Sequence, residues 1–281
     1  MPSSPLLGAF FALTAAIIWG GGDFSGGLAA RRISQYQVLV LSGLSGLLGL
    51  AALMLLVNES WPTFSDLVWA GAAGLSGAIG LAALYRGISL GNVAFVTPTT
   101  SVIGAVAPVL FELLRRNPPS GLQWFGFALA LAGIWLVTQT TGHDPHVRRE
   151  SIFLALLAGV SFGFFFILLD QIQSTALFSP LVFARSVTVL CGLVLIAARR
   201  EALPSPTRHP LALLTGLCDA AGNTLYFLAI RYTRLDVATM LSSFYPATTV
   251  ILASLLLHEK ISRPQWLGVL CCLAAVALIV G

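Results

Sequence analysis

Three ionisable residues stand inside long apolar runs: Asp23, Arg185 and Asp219. An ionised side chain at mid-bilayer costs about 2.5–3.5 kcal/mol on insertion scales, so it persists only when paired, facing water or working. Asp219 is followed by Asn223 and Tyr226. Helical spacing puts that carboxylate, amide and phenol on one face. Such a face reads as the polar wall of a substrate cavity in which Asp219 takes up and releases a proton. It reads equally as an ion pair or interhelical hydrogen bond. The Arg185 guanidinium can grip a substrate carboxylate in a bidentate way, or pair with Asp23 or Asp219. Trp19 lies one turn before Asp23, and Phe162 and Phe166 occupy the positions 143 residues later. Aromatic walls beside a few polar groups suit an amphipathic organic substrate. Phe164 and Phe165, in the same stripe, are assigned to lipid contact or packing. Glu112 and Asp170 lie near the ends of apolar runs, where snorkelling accounts for them.

Prolines mark candidate gating points. Pro98, Pro108 and Pro246 each remove a backbone hydrogen bond and can kink or unwind a helix. Thr97, Thr99, Thr100 and Ser101 surround the first, and Ser242, Ser243 and Tyr245 precede the last. Freed carbonyls and hydroxyls at such breaks can line a polar site at membrane depth, which adds Tyr245 to the candidate substrate contacts. The same hydroxyls also satisfy kinked helices with no ligand involved. The histidines (His143, His146, His209, His258) all fall between apolar runs, and HExxH does not occur; the two GxSxG matches, at Ser89 and Ser161, have no histidine in the same apolar run. No catalytic residue, metal ligand or cofactor is expected. The glycines at 20–22 and 26–27 do not form GxGxxG, and no Walker A segment occurs, so ATP is not expected to drive the protein directly. The cysteines (Cys191, Cys218, Cys271, Cys272) sit in apolar runs and read as small packing residues.

These residues must be positioned by membrane helices. Charged residues make up 9% of the 281 and hydrophobic residues 57%, with a mean hydropathy of +0.90. A soluble domain carries about 25% charge. An ordinary soluble enzyme, a disordered chain and a nucleic-acid binder are therefore excluded, despite a net charge of +4. A span needs about 20 mostly apolar residues. Ten runs qualify: 6–28, 36–57, 66–88, 93–114, 121–141, 151–171, 180–198, 210–230, 236–257 and 264–281. The fold class is an all-α polytopic membrane protein in a cell (inner or plasma) membrane. The first Lys or Arg is Arg31, so the first run lacks the charged flank of a signal peptide and reads as a retained span. Connections 1–2, 3–4, 5–6, 7–8 and 9–10 hold ten Lys and Arg residues, with Arg86 at the end of run 66–88 counted to connection 3–4, and the other side four, with Arg185 inside a span. Basic residues favour the cytoplasmic side, so this count puts both chain ends outside.

An internal repeat organises the chain. An offset of 143 lays Phe10, Ala12, Leu13, Ala15 and Gly20 on Phe153, Ala155, Leu156, Ala158 and Gly163. An offset of 142 lays Gln123, Trp124 and Gly126 on Gln265, Trp266 and Gly268. Two units follow, 1–142 and 143–281, each of five helices. Because five is odd, the second enters the membrane from the opposite side. Ten transmembrane helices as two inverted five-helix repeats are a common transporter architecture, with the substrate site at midplane between the halves.

Trp19-Gly20, Ala229-Ile230-Arg231-Tyr232-Thr233, Pro246, and Leu256-Leu257-His258-Glu259-Lys260-Ile261 followed by Trp266-Leu267-Gly268 carry a family resemblance across essentially the whole chain. On these residues the sequence resembles the EamA family of the drug/metabolite transporter superfamily. The first half departs from the pattern. Arg115-Arg116 stand where the loop glutamate would be, Pro98 and Pro108 replace one proline, and Ser42 aligns with Arg185. The resemblance implies cytoplasmic chain ends, against the charge count, and an arginine at position 185 is a family habit. The expected function is secondary transport, as an exporter of a small amino acid-like or otherwise amphipathic metabolite. The two halves would rock around the midplane cavity. A lipid-group flippase shares the same fold logic, and an intramembrane enzyme lacks an HExxH motif and any histidine within an apolar run. Expected partners are a small-molecule substrate, membrane lipid and, as the coupling ion, protons, with no nucleic acid. The choice between monomer and dimer stays open.

Overall fold

The computed structural model describes residues 4–90, 93–115, 118–137, 149–257 and 262–280. Its α-helices are α1 (Pro5–Ala30), α2 (Gln35–Leu56), α3 (Phe64–Ser89), α4 (Val93–Leu114), α5 (Gly121–Val137), α6 (Arg149–Asp170), α7 (Phe178–Arg199), α8 (Pro210–Tyr232), α9 (Leu235–Ser242), α10 (Tyr245–Leu257) and α11 (Arg263–Val280). No strand occurs among the described residues. Eight segments are long and apolar enough to cross a membrane, one of them α9 and α10 together, and α4 and α5 supply shorter apolar helices. Apolar helices therefore stand at all ten expected positions. Leu48, Leu55, Phe125, Phe153, Leu190 and Leu270 stand more than half exposed, as lipid contact requires.

Several spans begin at a polar cap. Ser34 and Gln37 form a reciprocal capping box on α2, and Ser120 with Gln123 does the same on α5. Gln265 accepts a bond from the Ser262 N–H at the start of α11. These serines and glutamines occupy N–H groups that lipid would leave unsatisfied.

Helix pairing obeys a two-fold exchange of the halves. α1 packs on α8 as α6 packs on α3, α2 on α8 as α7 on α3, and α1 on α10 as α6 on α4. The pairs α2–α7 and α5–α11 map onto themselves. Individual contacts repeat at the same offset. Gly126 meets Leu278 and Ile279, while Gly268 meets Leu136 and Val137. Gly74 lies against the Ala184 backbone, and Gly216 against Ser42. That last pair equates Ser42 with Ala184, correcting by one residue the alignment of Ser42 with Arg185.

The two membrane faces are tied differently. On the face shared by the start of α1 and the end of α11, residues 171–177 form a hub. Glu59 accepts bonds from the N–H groups of Leu177, Phe178 and Ser179 at 2.5, 2.7 and 2.6 Å. Asp66 accepts one from Gln173 N–H at 2.9 Å. Arg231 donates to the carbonyls of Ser174, Thr175 and Ala176, and Arg115 pairs with Asp170 at 2.8 Å. Glu112 is buried, 3.7 Å from Arg115, so a paired cluster rather than snorkelling accounts for Glu112 and Asp170. On the opposite face, the links between halves include Glu201 with Ser34, Gln37 with the Ala202 carbonyl, Arg199 over the Tyr36 ring, and an exposed Arg86–Glu150 pair. Glu59 and Glu201 are themselves related by the 142 offset. Each follows a residue of positive φ, Asn58 and Arg200, that ends its helix.

Which face is cytoplasmic is open to a direct measurement. The Lys and Arg count predicts that alkaline phosphatase fused after Val280 is active outside the cell. An inactive fusion, with a fluorescent cytoplasmic reporter active at the same position, reverses the orientation.

Candidate functional site

A cavity of about 100 Å³ lies between the halves at mid-span of the helices. Of the residues singled out from sequence, Trp19, Asp23, Phe162, Phe166, Arg185, Asp219, Asn223 and Tyr245 line it. α1 brings Trp19 and Asp23, α6 the two phenylalanines, α7 the arginine, α8 the aspartate and asparagine, and α10 the tyrosine.

Tyr226 does not reach the cavity. Seven residues past Asp219 it points the same way but sits about 10 Å further along the helix. There it is wholly buried, its hydroxyl 2.8 Å from Thr239 Oγ1. Its ring packs on Phe166 at 4.7 Å and on Trp19 at 5.8 Å between centroids. It supports the aromatic wall from behind.

Arg185 and Asp219 form an ion pair across α7 and α8, and Asn223 Nδ2 donates to Asp219 Oδ2 at 3.4 Å. This internal pair is one of the alternatives open for these two residues. Asp23 faces the same cavity and interacts electrostatically with Asp219. It has no hydrogen-bond or ion-pair partner among the described residues.

The walls carry the repeat's symmetry. Trp19 sits on Gly222 of α8, and Phe162, its counterpart, sits on Gly80 of α3. The cavity residues Asp219 and Asn223 on α8 correspond, 142 residues earlier, to Gly77 and Leu81 on α3, which also line the cavity. One wall is therefore polar and its symmetry mate apolar. Sequence reasoning missed Gly77, Leu81 and Leu84, although the offset applied to 219, 223 and 226 points straight to them. It also assigned Phe165 to lipid or packing. Phe165 lines the cavity and packs on Phe166, whereas Phe164 is exposed as lipid contact demands.

The prolines divide. α4 runs unbroken through Pro98 and Pro108, with the Pro98 and Thr97 side chains outside the described residues. The helix breaks only at Ser243-Phe244, and Pro246 falls in the first turn of α10, where its missing N–H costs nothing. The Ser243 carbonyl freed there accepts a bond from Ser101 Oγ at 3.1 Å. The protein itself thus satisfies that group. His143, His146 and His258 lie outside the described residues, and no cluster of three metal-ligating side chains occurs among those described.

Known proteins agree with this architecture. The chain is 25% identical over 296 residues to the inner membrane transporter YedA of Escherichia coli (strain K12), covering 98% of this chain and 90% of that one. It is 24% identical over 277 residues to the transporter YwfM of Bacillus subtilis (strain 168), covering 93% and 89%. A solved crystal structure shares the fold at a TM-score of 0.76 and 16% identity, over 96% of this chain and 95% of that one. The pattern of the EamA-like transporter family matches residues 6–139 and again 149–281. With both halves matched, this multi-pass cell-membrane protein belongs to the EamA-like transporter family.

Proposed function

We propose that the protein is a secondary transporter that exports a small organic metabolite, amino acid-like or otherwise amphipathic, by alternating access. It performs no covalent chemistry in this reading. The observation that carries it is the cavity between the repeats, whose α8 wall is polar and whose symmetry-related α3 wall is apolar. An amphipathic molecule lying between them finds a partner for each of its sides. The uneven faces supply the second requirement. Cross-half hydrogen bonds around residues 171–177 tie one side, and a sparser symmetry-related set, to which the Ser34–Glu201 bond belongs, ties the other. Exchange of the two closures moves access from face to face around a fixed site. With no partner among the described residues, Asp23 replaces Asp219 as the carboxylate available for proton coupling.

Cysteine accessibility tests the mechanism without knowledge of the substrate. Leu81→Cys is introduced at the cavity wall of a chain whose cysteines (Cys191, Cys218, Cys271, Cys272) are replaced by serine. A membrane-impermeant thiol reagent is expected to label it in both right-side-out and inside-out vesicles. Labelling in only one orientation sinks alternating access.

A further inference from the structure

We infer that the cavity binds a compact monovalent organic cation, such as the ammonium head of an amine, with the Asp23 carboxylate as its counter-charge. The inference deepens the transporter reading and rests on it for taking this cavity as the substrate site.

Charge carries the argument. The charged groups of the cavity are Asp23, Asp219 and Arg185. Arg185 is spent on Asp219, so the pair is internally neutral and one negative charge remains. That charge belongs to Asp23, which no described residue pairs or hydrogen-bonds. The other titratable groups that interact with Asp23 are the phenols Tyr85 on α3 and Tyr245 on α10, which bring no positive charge. An uncompensated carboxylate at membrane depth is costly, and a cationic ligand removes that cost. An anion would meet Asp23 and Asp219 together, with the only guanidinium already engaged. A zwitterion would satisfy Asp23 and leave its own carboxylate without a partner, so of the proposed substrate range the inference selects amphipathic amines rather than amino acids.

Shape agrees with charge. The rings of Trp19, Phe162, Phe165, Phe166 and Tyr245 border the same space. Aromatic faces attract ammonium groups through their quadrupoles, and quaternary ammonium ions are held this way in aromatic cages. The volume of about 100 Å³ is smaller than the ~150 Å³ void that admits benzene. The space suits a head group, with the remainder of the molecule extending along the apolar α3 wall past Leu81 and Leu84.

A charge series of matched shape tests the assignment on the purified full chain in detergent. Tetramethylammonium, tert-butanol and pivalate are titrated by calorimetry at constant ionic strength. Tetramethylammonium is expected to bind saturably and at least tenfold more tightly than the neutral or anionic analogue. Asp23→Asn should weaken it at least tenfold, and Asp23→Glu, which keeps the charge, should recover most of the loss. Equal binding of pivalate or tert-butanol, no saturable binding of tetramethylammonium, or an Asp23→Asn chain that binds like the parent overturns the assignment. The analogue series on the unaltered chain decides the matter even where a variant does not fold. If the cation fails while Leu81→Cys labels from both faces, the transporter reading survives with another substrate class. Labelling from one face alone removes that reading whatever binds.

Discussion

Arg185→Met is expected to destabilise the protein by about 3–5 kcal/mol, and the double variant Arg185→Met/Asp219→Leu to recover most of that loss. The reason is desolvation. Arg185 is nearly inaccessible, with its side chain 6% exposed, and Asp219 is 25% exposed at the cavity edge. Removing the guanidinium leaves Asp219 without its partner and places it beside Asp23, a second carboxylate with no cation nearby. Removing Asp219 alone strands a buried guanidinium, which is equally unfavourable. Removing both leaves an apolar contact between α7 and α8, and exchange of a buried ion pair for well-packed apolar groups is often neutral. Thermal unfolding of the parent, both single variants and the double variant in one detergent measures the coupling directly. Simple additivity would show that the two side chains act independently and that the cavity's charge balance has been misassigned. The same set bears on the cation site. The double variant keeps Asp23 as the cavity's one charge and should retain tetramethylammonium binding.

Much of this arrangement is legible in the sequence, for physical reasons that differ by feature. The spans are legible because lipid admits no unpaired backbone, so every crossing must be a long apolar run. The repeat is legible where it is mechanical. Gln123 and Gln265 recur because each caps a helix, and Gly126 and Gly268 recur because each admits the partner helix. Asp23, Arg185 and Asp219 stand out because charge at membrane depth needs a reason. Which of them pair is not legible. Arg185 could reach either aspartate as far as spacing goes, and only the packing of α7 on α8 chooses Asp219. Depth along a helix is equally hidden. Tyr226 shares a face with Asp219 yet lies beyond the cavity, a distinction that periodicity cannot draw. The apolar half of the site was invisible for another reason. Leu81 and Leu84 resemble every other leucine in the chain until symmetry relates their positions to the polar ones.

The helix approaches that create the cavity supply the other large effect. Gly216→Ala is expected to cost at least 3 kcal/mol, at or beyond the upper end of the usual 1–3 kcal/mol for overpacking. A Cβ at Gly216 would lie 1.9 Å from the Ser42 carbonyl oxygen and 2.2 Å from Ser45 Oγ. A carbonyl oxygen in a helix cannot step aside, so α2 and α8 must separate. Gly74→Ala, the symmetry-related change, meets the Ala184 carbonyl oxygen at 2.1 Å and should be comparably damaging. Gly27→Ala is the control. Nothing lies within 4 Å of its Cβ, so no loss is expected beyond the small propensity difference between glycine and alanine, which favours alanine in a helix. The three variants separate two accounts of the many glycines. If glycine serves chain flexibility, all three should behave alike. If it serves close packing, midpoint temperatures should fall sharply for positions 216 and 74 and stay level for position 27. The packing account also predicts where function goes. Gly216 faces Ser42 on α2 while Gly74 faces Ala184, the neighbour of Arg185, so both seams border the ion pair. Prising either apart moves α7 relative to α8, and tetramethylammonium affinity should fall with stability in those two variants alone.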